Sequence, residues 1–429
     1  MKKYESYKDS GVGWIGEIPS HWSCVKVKHL LRERVDKSED GIGEPLSMSQ
    51  KYGLIPTSQM DVVPNLATSY VGAKRTKIGD MVLNKLKAHL GVFALSAYDG
   101  LVSPDYAVYY GTGRADLEYL EYLFKTPLYV SEFIKKTTGV AIGFNRLYTD
   151  DLFSIPAHYP PMQEQKRIID YLKYKTLKIE QYVSARERER ELLDSLKQSE
   201  IANVVTKGLN PNVRMKDSGI PWIGMIPEHW ETRTLSQMAR VHFISNKNVH
   251  HQNLLSLSYG KIVCKDINTT EGLLPASFDN YQIVEDGNIV LRLTDLQNDH
   301  KSLRVGLSTQ EGIITSAYLA IEAFTGILPK YLYFLLHSID VKKVFYSMGN
   351  GLRQSLNWTE LRKLKCIVPP ILEQQAIVDY IEAKLSKIDS CMADLQAEID
   401  YLKEFKQRLI SDVVTGQICV AKPQRGEQQ

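Results

Sequence analysis

The chain is poor in cysteine: 429 residues carry only Cys24, Cys264, Cys366, Cys391 and Cys419. An odd number, widely spaced, makes neither a disulfide framework nor a zinc site, and it suits a reduced, cytoplasmic setting. Long hydrophobic runs are missing too. The greasiest stretch, "GIITSAYLAIEAFTGILPKYLYFLL", is interrupted by Glu322, Pro329 and Lys330, so it reads as buried strand and helix and not as a bilayer span. The opening "MKKYESYKDSG" has no apolar run behind its lysines, which argues against a signal peptide. Charge of one sign is not in excess. A net charge of +3 permits an anionic partner without requiring one.

Catalytic signatures are absent as well. No G-x-x-x-x-G-K-[ST] stands ready to cradle a phosphate, and no G-x-G-x-x-G opens a helix after a strand. The proline pairs occur as "YPPM" and "VPPI", without the preceding Asn or Asp and following aromatic of an adenine methyltransferase. Pro104-Asp105 has the look of a nuclease carboxylate, yet no acidic-x-Lys follows on a nearby strand; Glu404 and Lys406 fall in a helical segment. His250-His251 are adjacent, so their side chains diverge, and no further ligand is positioned with them. The expectation is a chain without a catalytic constellation or metal site of its own.

What the chain does contain is itself, twice. "KDSGVGWIGEIPSHW" ends at Trp22, and "KDSGIPWIGMIPEHW" ends at Trp230, close to half the chain length later. Other landmarks recur in register. "PLSMSQKYG" (Pro45–Gly53) answers to "LLSLSYG" (Leu254–Gly260), and "IGDMVL" (Ile78–Leu83) to "DGNIVL" (Asp286–Leu291). "PPMQEQKRIIDYL" (Pro160–Leu172) matches "PPILEQQAIVDYI" (Pro369–Ile381), and "VVTKG" matches "VVTG". Between landmarks the halves diverge. A period this long marks a duplicated domain, not a solenoid unit. Trp14, Trp22, Trp222 and Trp230 read as anchors around a Gly-Pro turn, not as base-stacking platforms.

Each half runs through about 140 residues of strand-like segments between Gly, Pro and Asn turns, then a double proline, then a long helix. The second helix has a heptad seam: Val378, Ile381, Leu385, Ile388, Met392, Leu395, Ile399, Leu402, Lys406, Leu409 and Val413. The equivalent seam of the first starts apolar (Ile169, Leu172) and turns polar at Arg186, Arg190, Lys197 and Glu200. Pairing of the two helices is expected, with docking on another protein as the alternative. Because the two chain ends reproduce the internal junction at 208–222, they are expected to lie near each other.

The doubled "KDSG..WIG.IP.HW", the doubled "PP..EQ" and the two long helices resemble, over essentially the whole chain, the specificity (S) subunit of type I restriction–modification systems. The resemblance implies a mixed α/β fold with a pseudo-twofold internal repeat: two target recognition domains separated by two long antiparallel coiled-coil helices. Its segments are 1–22 and the recognition domain 23–159, the central conserved region 160–230, the second recognition domain 231–368, and the C-terminal conserved region 369–429. It implies a non-catalytic protein in which each domain reads one half of a bipartite, asymmetric sequence in double-stranded DNA. The helices would set the spacer and dock a pair of modification (methyltransferase) subunits. S-adenosylmethionine, ATP and magnesium would be used by those subunits and by a restriction (translocase/nuclease) subunit, with no cofactor on this chain and no membrane. A stand-alone methyltransferase or nuclease with built-in recognition domains is the alternative, and a coiled-coil scaffold without DNA binding is a third reading.

Base reading needs Arg, Lys, Asn and Gln at groove edges, and glycine-flanked loops let a backbone approach a phosphate. The candidates in the first domain are Lys74 and Arg75; Asn84, Lys85 and Lys87 with His89; and Lys136, Asn145 and Arg146 with Lys135. Those in the second are Asn246, Lys247, Asn248 and His250; Arg292 and Arg304 with Lys301; and Arg353 and Gln354.

Overall fold

The computed structural model describes residues 2–49, 52–61, 69–138, 146–249, 251–267, 275, 277–296, 303–348 and 355–420, leaving aside the side chains of His89 and Asn248. Two compact units emerge, one made of 1–186 with 397–429 and the other of 187–396. The division falls inside both long helices, Met162–Lys207 and Ile371–Val414.

The duplication holds through the main sheet of each unit. In the first unit a four-stranded antiparallel sheet has the order Leu31–Glu33, Tyr106–Gly111, Met81–Asn84, Phe93–Leu95. In the second, the order is Ala239–Val241, Leu319–Ala323, Ile289–Leu291, Val305–Leu307. Each domain is closed by pairing its first strand with its last: Ser23 faces Tyr159, and Glu231 faces Val368. A short hairpin precedes each, Tyr7–Asp9 with Glu17–Pro19 and Met215–Asp217 with Met225–Pro227. One difference stands out. The strand pair Lys74–Thr76/Gly100–Val102 has a three-stranded counterpart, in which Ile244–Ser245 joins Tyr281–Val284 and Gly312–Thr315.

The repeated phrases meet each other in space. In the first unit the buried Glu164 of "PPMQEQ" accepts hydrogen bonds from Trp22 Nε1 (3.2 Å) and Tyr4 Oη (2.6 Å), and its other oxygen lies 2.7 Å from His21 Nε2. In the second, Glu373 lies 2.8 Å from His229 Nε2. The glutamine beside each carboxylate works the same way in both copies. Gln165 donates to the Pro160 carbonyl and accepts from Asp116 N–H, while Gln374 donates to Pro369 and accepts from Leu328 N–H. These groups would otherwise be unpaired at helix starts, so the two motifs amount to one capped joint. Trp22 and Trp230 are fully buried in it, and Trp14 and Trp222 are half-buried.

The far end of a helix completes each joint. Gly416 (φ +80°) follows the second helix, and a Cβ there would stand 2.5 Å from Pro19 Cδ. Gly208 (φ +73°) follows the first helix, against Glu373 and Trp230. Only glycine enters that left-handed conformation at no steric cost. The chain ends do lie together: Cys419 N–H donates to the Lys2 carbonyl at 2.8 Å, and Tyr7 Oη to Gly416 O at 3.0 Å.

Each core therefore takes residues from both helices. Ile168, Ile169 and Leu172 with Leu409, Val413 and Val414 enter the first, and Ile201, Val204 and Val205 with Ile377, Val378 and Ile381 the second. Within each unit the helix segments run antiparallel. Glu180 pairs with Lys406 and Arg186 with Glu398 in the first unit; Arg190 bonds Gln396 and Lys197 bonds Asp389 in the second. The polar half of the first helix's seam thus faces complementary polar groups, with the apolar side of its partner, Ile388, Leu395 and Ile399, still buried.

Candidate nucleic-acid interface

In the first unit three candidate cations from three separate segments converge. Lys74, Lys85 and Arg146 share one electrostatic neighbourhood with Glu33 and Asp105. Strand alternation turns Lys74 inward, where it is 8% exposed and donates from Nζ to the Tyr106 carbonyl (2.8 Å), with Glu33 at 3.5 Å. Arg75, the next residue, faces the other way and pairs with Asp40 (3.2 Å) and Asp36 (4.0 Å). Lys85 is half-buried just after the strand Met81–Asn84. Burial first, then the charge of Lys74, lowers its pKa.

Asn145 lies outside the described residues, between Thr138 and Arg146. Thr138 and Arg146 exchange both backbone hydrogen bonds (3.0 and 2.9 Å), and Arg146 Nη2 lies 3.1 Å from Asp105. Asp105 is thus the counter-ion of Arg146. The clasp is tied to the neighbouring loop by Leu147 N–H donating to the Lys85 carbonyl at 3.2 Å. The second unit repeats that tie, with Leu356 N–H donating to Leu293 O at 2.9 Å. Lys87 and Lys136 are exposed on the same two stretches.

Four candidates turn out to be spent on the fold, which corrects their assignment as groove-facing groups. Arg304 is wholly buried, and its guanidinium donates to backbone carbonyls and to Tyr346. Asn246, 2% exposed, accepts from His251 N–H at 2.7 Å and turns its amide toward the His251 and Phe278 carbonyls. Asn84 accepts from Leu86 N–H at 3.2 Å and caps the turn that carries Lys85. Lys74 is satisfied as above. In each case a polar group inside the domain finds internal partners because leaving it bare would cost more than the exposure it gives up. Lys247 is exposed and Arg292 half-buried. His250, Lys301, Arg353, Gln354 and the side chain of Asn248 lie outside the described residues. Sequence reading did not single out Glu33, Asp340 or Tyr346. The one available signal was an arginine set directly against the apolar strand "VGL".

Among the described residues no group of three or more His, Cys, Asp or Glu is arranged to hold a metal, and no helix is long and apolar enough to cross a membrane.

The fold is that of a duplicated protein, two sheet-and-helix domains each built on the start of one long helix and the end of the other. Solved structures of type I restriction–modification systems share it. A chain from a study of complex assembly and conformational transition of the type I R-M system matches with a TM-score of 0.66 at 13% identity, covering 94% of this chain and 99% of that one. The HsdS subunit of Thermoanaerobacter tengcongensis matches at 0.50 and 14% identity, covering 94% and 98%. In sequence, the chain is 21% identical over 445 residues to the putative type I restriction enzyme MjaX specificity subunit of Methanocaldococcus jannaschii, covering 97% of this chain and 98% of that relative. It is 24% identical over 319 residues, 70% of each chain, to the MjaVIII specificity subunit of the same organism. No protein-family model matches. The resemblance carried by the doubled motifs is thus a full-length similarity to type I specificity subunits, in sequence and in fold.

Proposed function

We propose that this chain is the DNA sequence-specificity component of a type I restriction–modification assembly, each domain reading one half of a bipartite target. The observation that carries the reading is a frame whose four-stranded sheets and helix joints match in both units, around connections that differ. By strand register the connection after Met81–Asn84 is short and ends at Val92, whereas the one after Ile289–Leu291 is longer and ends at a buried arginine, Arg304. A shared scaffold with unlike loops is what reading two unlike half-sites requires, since phosphate contacts position a protein and loop side chains specify bases.

In the first domain, Lys85, Lys87, Lys136 and Arg146 form the DNA-facing set, with Arg75 at its edge. In the second, Lys247 and Arg292 take that role with Asn248, His250, Arg353 and Gln354. The long helices set the spacing between half-sites and dock the modification subunits. Exposed apolar side chains on the first helix (Tyr174, Leu177, Leu192 and Leu196) support that docking role. The chain itself carries no methylation or cleavage chemistry; S-adenosylmethionine, ATP and magnesium belong to its partners in the cytoplasm. Co-purification with the modification subunit, followed by methylation assays on duplex DNA, tests this. Adenine methylation should need both proteins, and turnover by this chain alone with S-adenosylmethionine would refute it.

A further inference from the structure

The side chain of Arg304 has no exposed surface, yet its cation holds the turn that follows the central strand of the second domain. Nη1 donates to the carbonyls of Arg292 (3.2 Å) and Thr294 (2.8 Å), and Nη2 to that of Asp295 (3.1 Å). Nε donates to Tyr346 Oη at 3.0 Å, with the guanidinium carbon 5.3 Å from that ring's centroid. The backbone N–H of Arg304 donates to the buried carboxylate of Asp340 at 2.5 Å. One rigid fork therefore fixes three carbonyls in a four-residue stretch and ties them to the turn Val344–Ser347.

The turn needs such a hold. Asp295 sits at φ +57°, a left-handed conformation that costs a non-glycine residue energy unless its surroundings impose it. Lys343, which opens Val344–Ser347, sits at φ +59°. Among the described residues the first domain has no counterpart to the fork: Val92 occupies the register position of Arg304, and Asn84 caps its turn instead.

Resting on the specificity reading above, we infer that Arg304 is a positioning residue for base recognition by the second domain. It contacts no base. It sets the backbone from which Arg292 reaches the groove, and a loosened turn blurs the preference at that half-site alone.

The test uses the full chain in complex with its modification subunit and a duplex library randomised at both half-sites, read by sequencing methylated adenines. Arg304→Met keeps most of the stem and removes every side-chain donor. The ratio of methylation at the best over the next-best sequence should fall roughly tenfold at the second half-site, with the first half-site profile unchanged. A merely structural role would lower total methylation in step with the folded fraction and leave both profiles as they were; that outcome overturns the inference. If Arg304→Met gives no cooperative melt, Tyr346→Phe decides, since it removes the Nε partner and keeps the ring. A smaller loss confined to the second half-site supports the inference, and an unchanged profile overturns it. Failure of the specificity reading would look different, because the wild-type complex would then show no bipartite pattern.

Discussion

Acid should loosen the first domain through one buried imidazole. His158 stacks on Trp22 (5.9 Å between ring centroids, 17° between planes) with no exposed surface. Its Nε2 lies 3.2 Å from the Val414 carbonyl and so carries the proton; its Nδ1, 3.0 Å from Tyr129 Oη, accepts from that hydroxyl. That neutral tautomer satisfies every group in reach. Burial pushes the pKa down to about 4, against 6.5 for a free histidine. A histidine with a depressed pKa takes up its proton in the unfolded chain first. Stability is therefore whole above about pH 6.5, falls as pH drops from there toward 4, and levels off below. The shift is worth about 3 kcal/mol, most of it already lost by pH 4.5. Other groups also titrate in this range, so the informative quantity is a difference between variants. His158→Gln can keep a donor for Val414 and an acceptor for Tyr129 without titrating. Urea unfolding at pH 7.5 and pH 4.5 should show wild type losing about 2–3 kcal/mol more than His158→Gln. Equal losses would show that His158 is not the group that binds the proton.

His337, held down to about 4 by burial and by Lys197, should behave likewise in the second unit, so that His337→Gln also flattens the acid limb of the unfolding curve. Gly416→Ala should cost about 2 kcal/mol or more in thermal unfolding, since a positive φ and contact with the Pro19 ring cannot both be relieved; Gly208→Ala should cost less, because its nearest atom belongs to a movable Glu373 carboxylate. Glu164→Gln, which disturbs contacts to Tyr4, His21 and Trp22, should lower stability by about 2 kcal/mol and by more than Glu373→Gln, as melting temperatures would show. Lys85→Ala and Arg146→Ala should each weaken DNA binding by the partnered complex about tenfold, with a shallower salt dependence wherever the lost contact is to phosphate. Lys74→Ala should instead show first as lost stability.

The frame was legible in the sequence because it is written twice. Motif order placed the helices, the joints and the meeting of the termini, and the heptads marked which face of the second helix is buried. The polar seam of the first helix was harder to interpret, because what satisfies Arg186, Arg190 and Lys197 (Glu398, Gln396 and Asp389) lies in the other half of the chain. Individual contact residues were least legible. Arg304 and Asn246 have the residue types of groove readers, but backbone carbonyls and N–H groups, which carry no sequence signature, claim them. Lys74 and Arg75 are neighbours whose fates part on strand alternation alone. The convergence of Lys85 with Arg146 depended on a backbone bond from Leu147 to Lys85, between segments some sixty residues apart.

The central claim, that two domains on one frame read two half-sites independently, is most directly tested by exchanging residues 23–159 for the matching domain of another specificity subunit. Methylated adenines are then mapped in DNA treated with the complex. The account predicts that the first half of the recognised sequence changes while the second half and the gap between them stay as they were. A change in both halves, or methylation indifferent to the exchange, would contradict it.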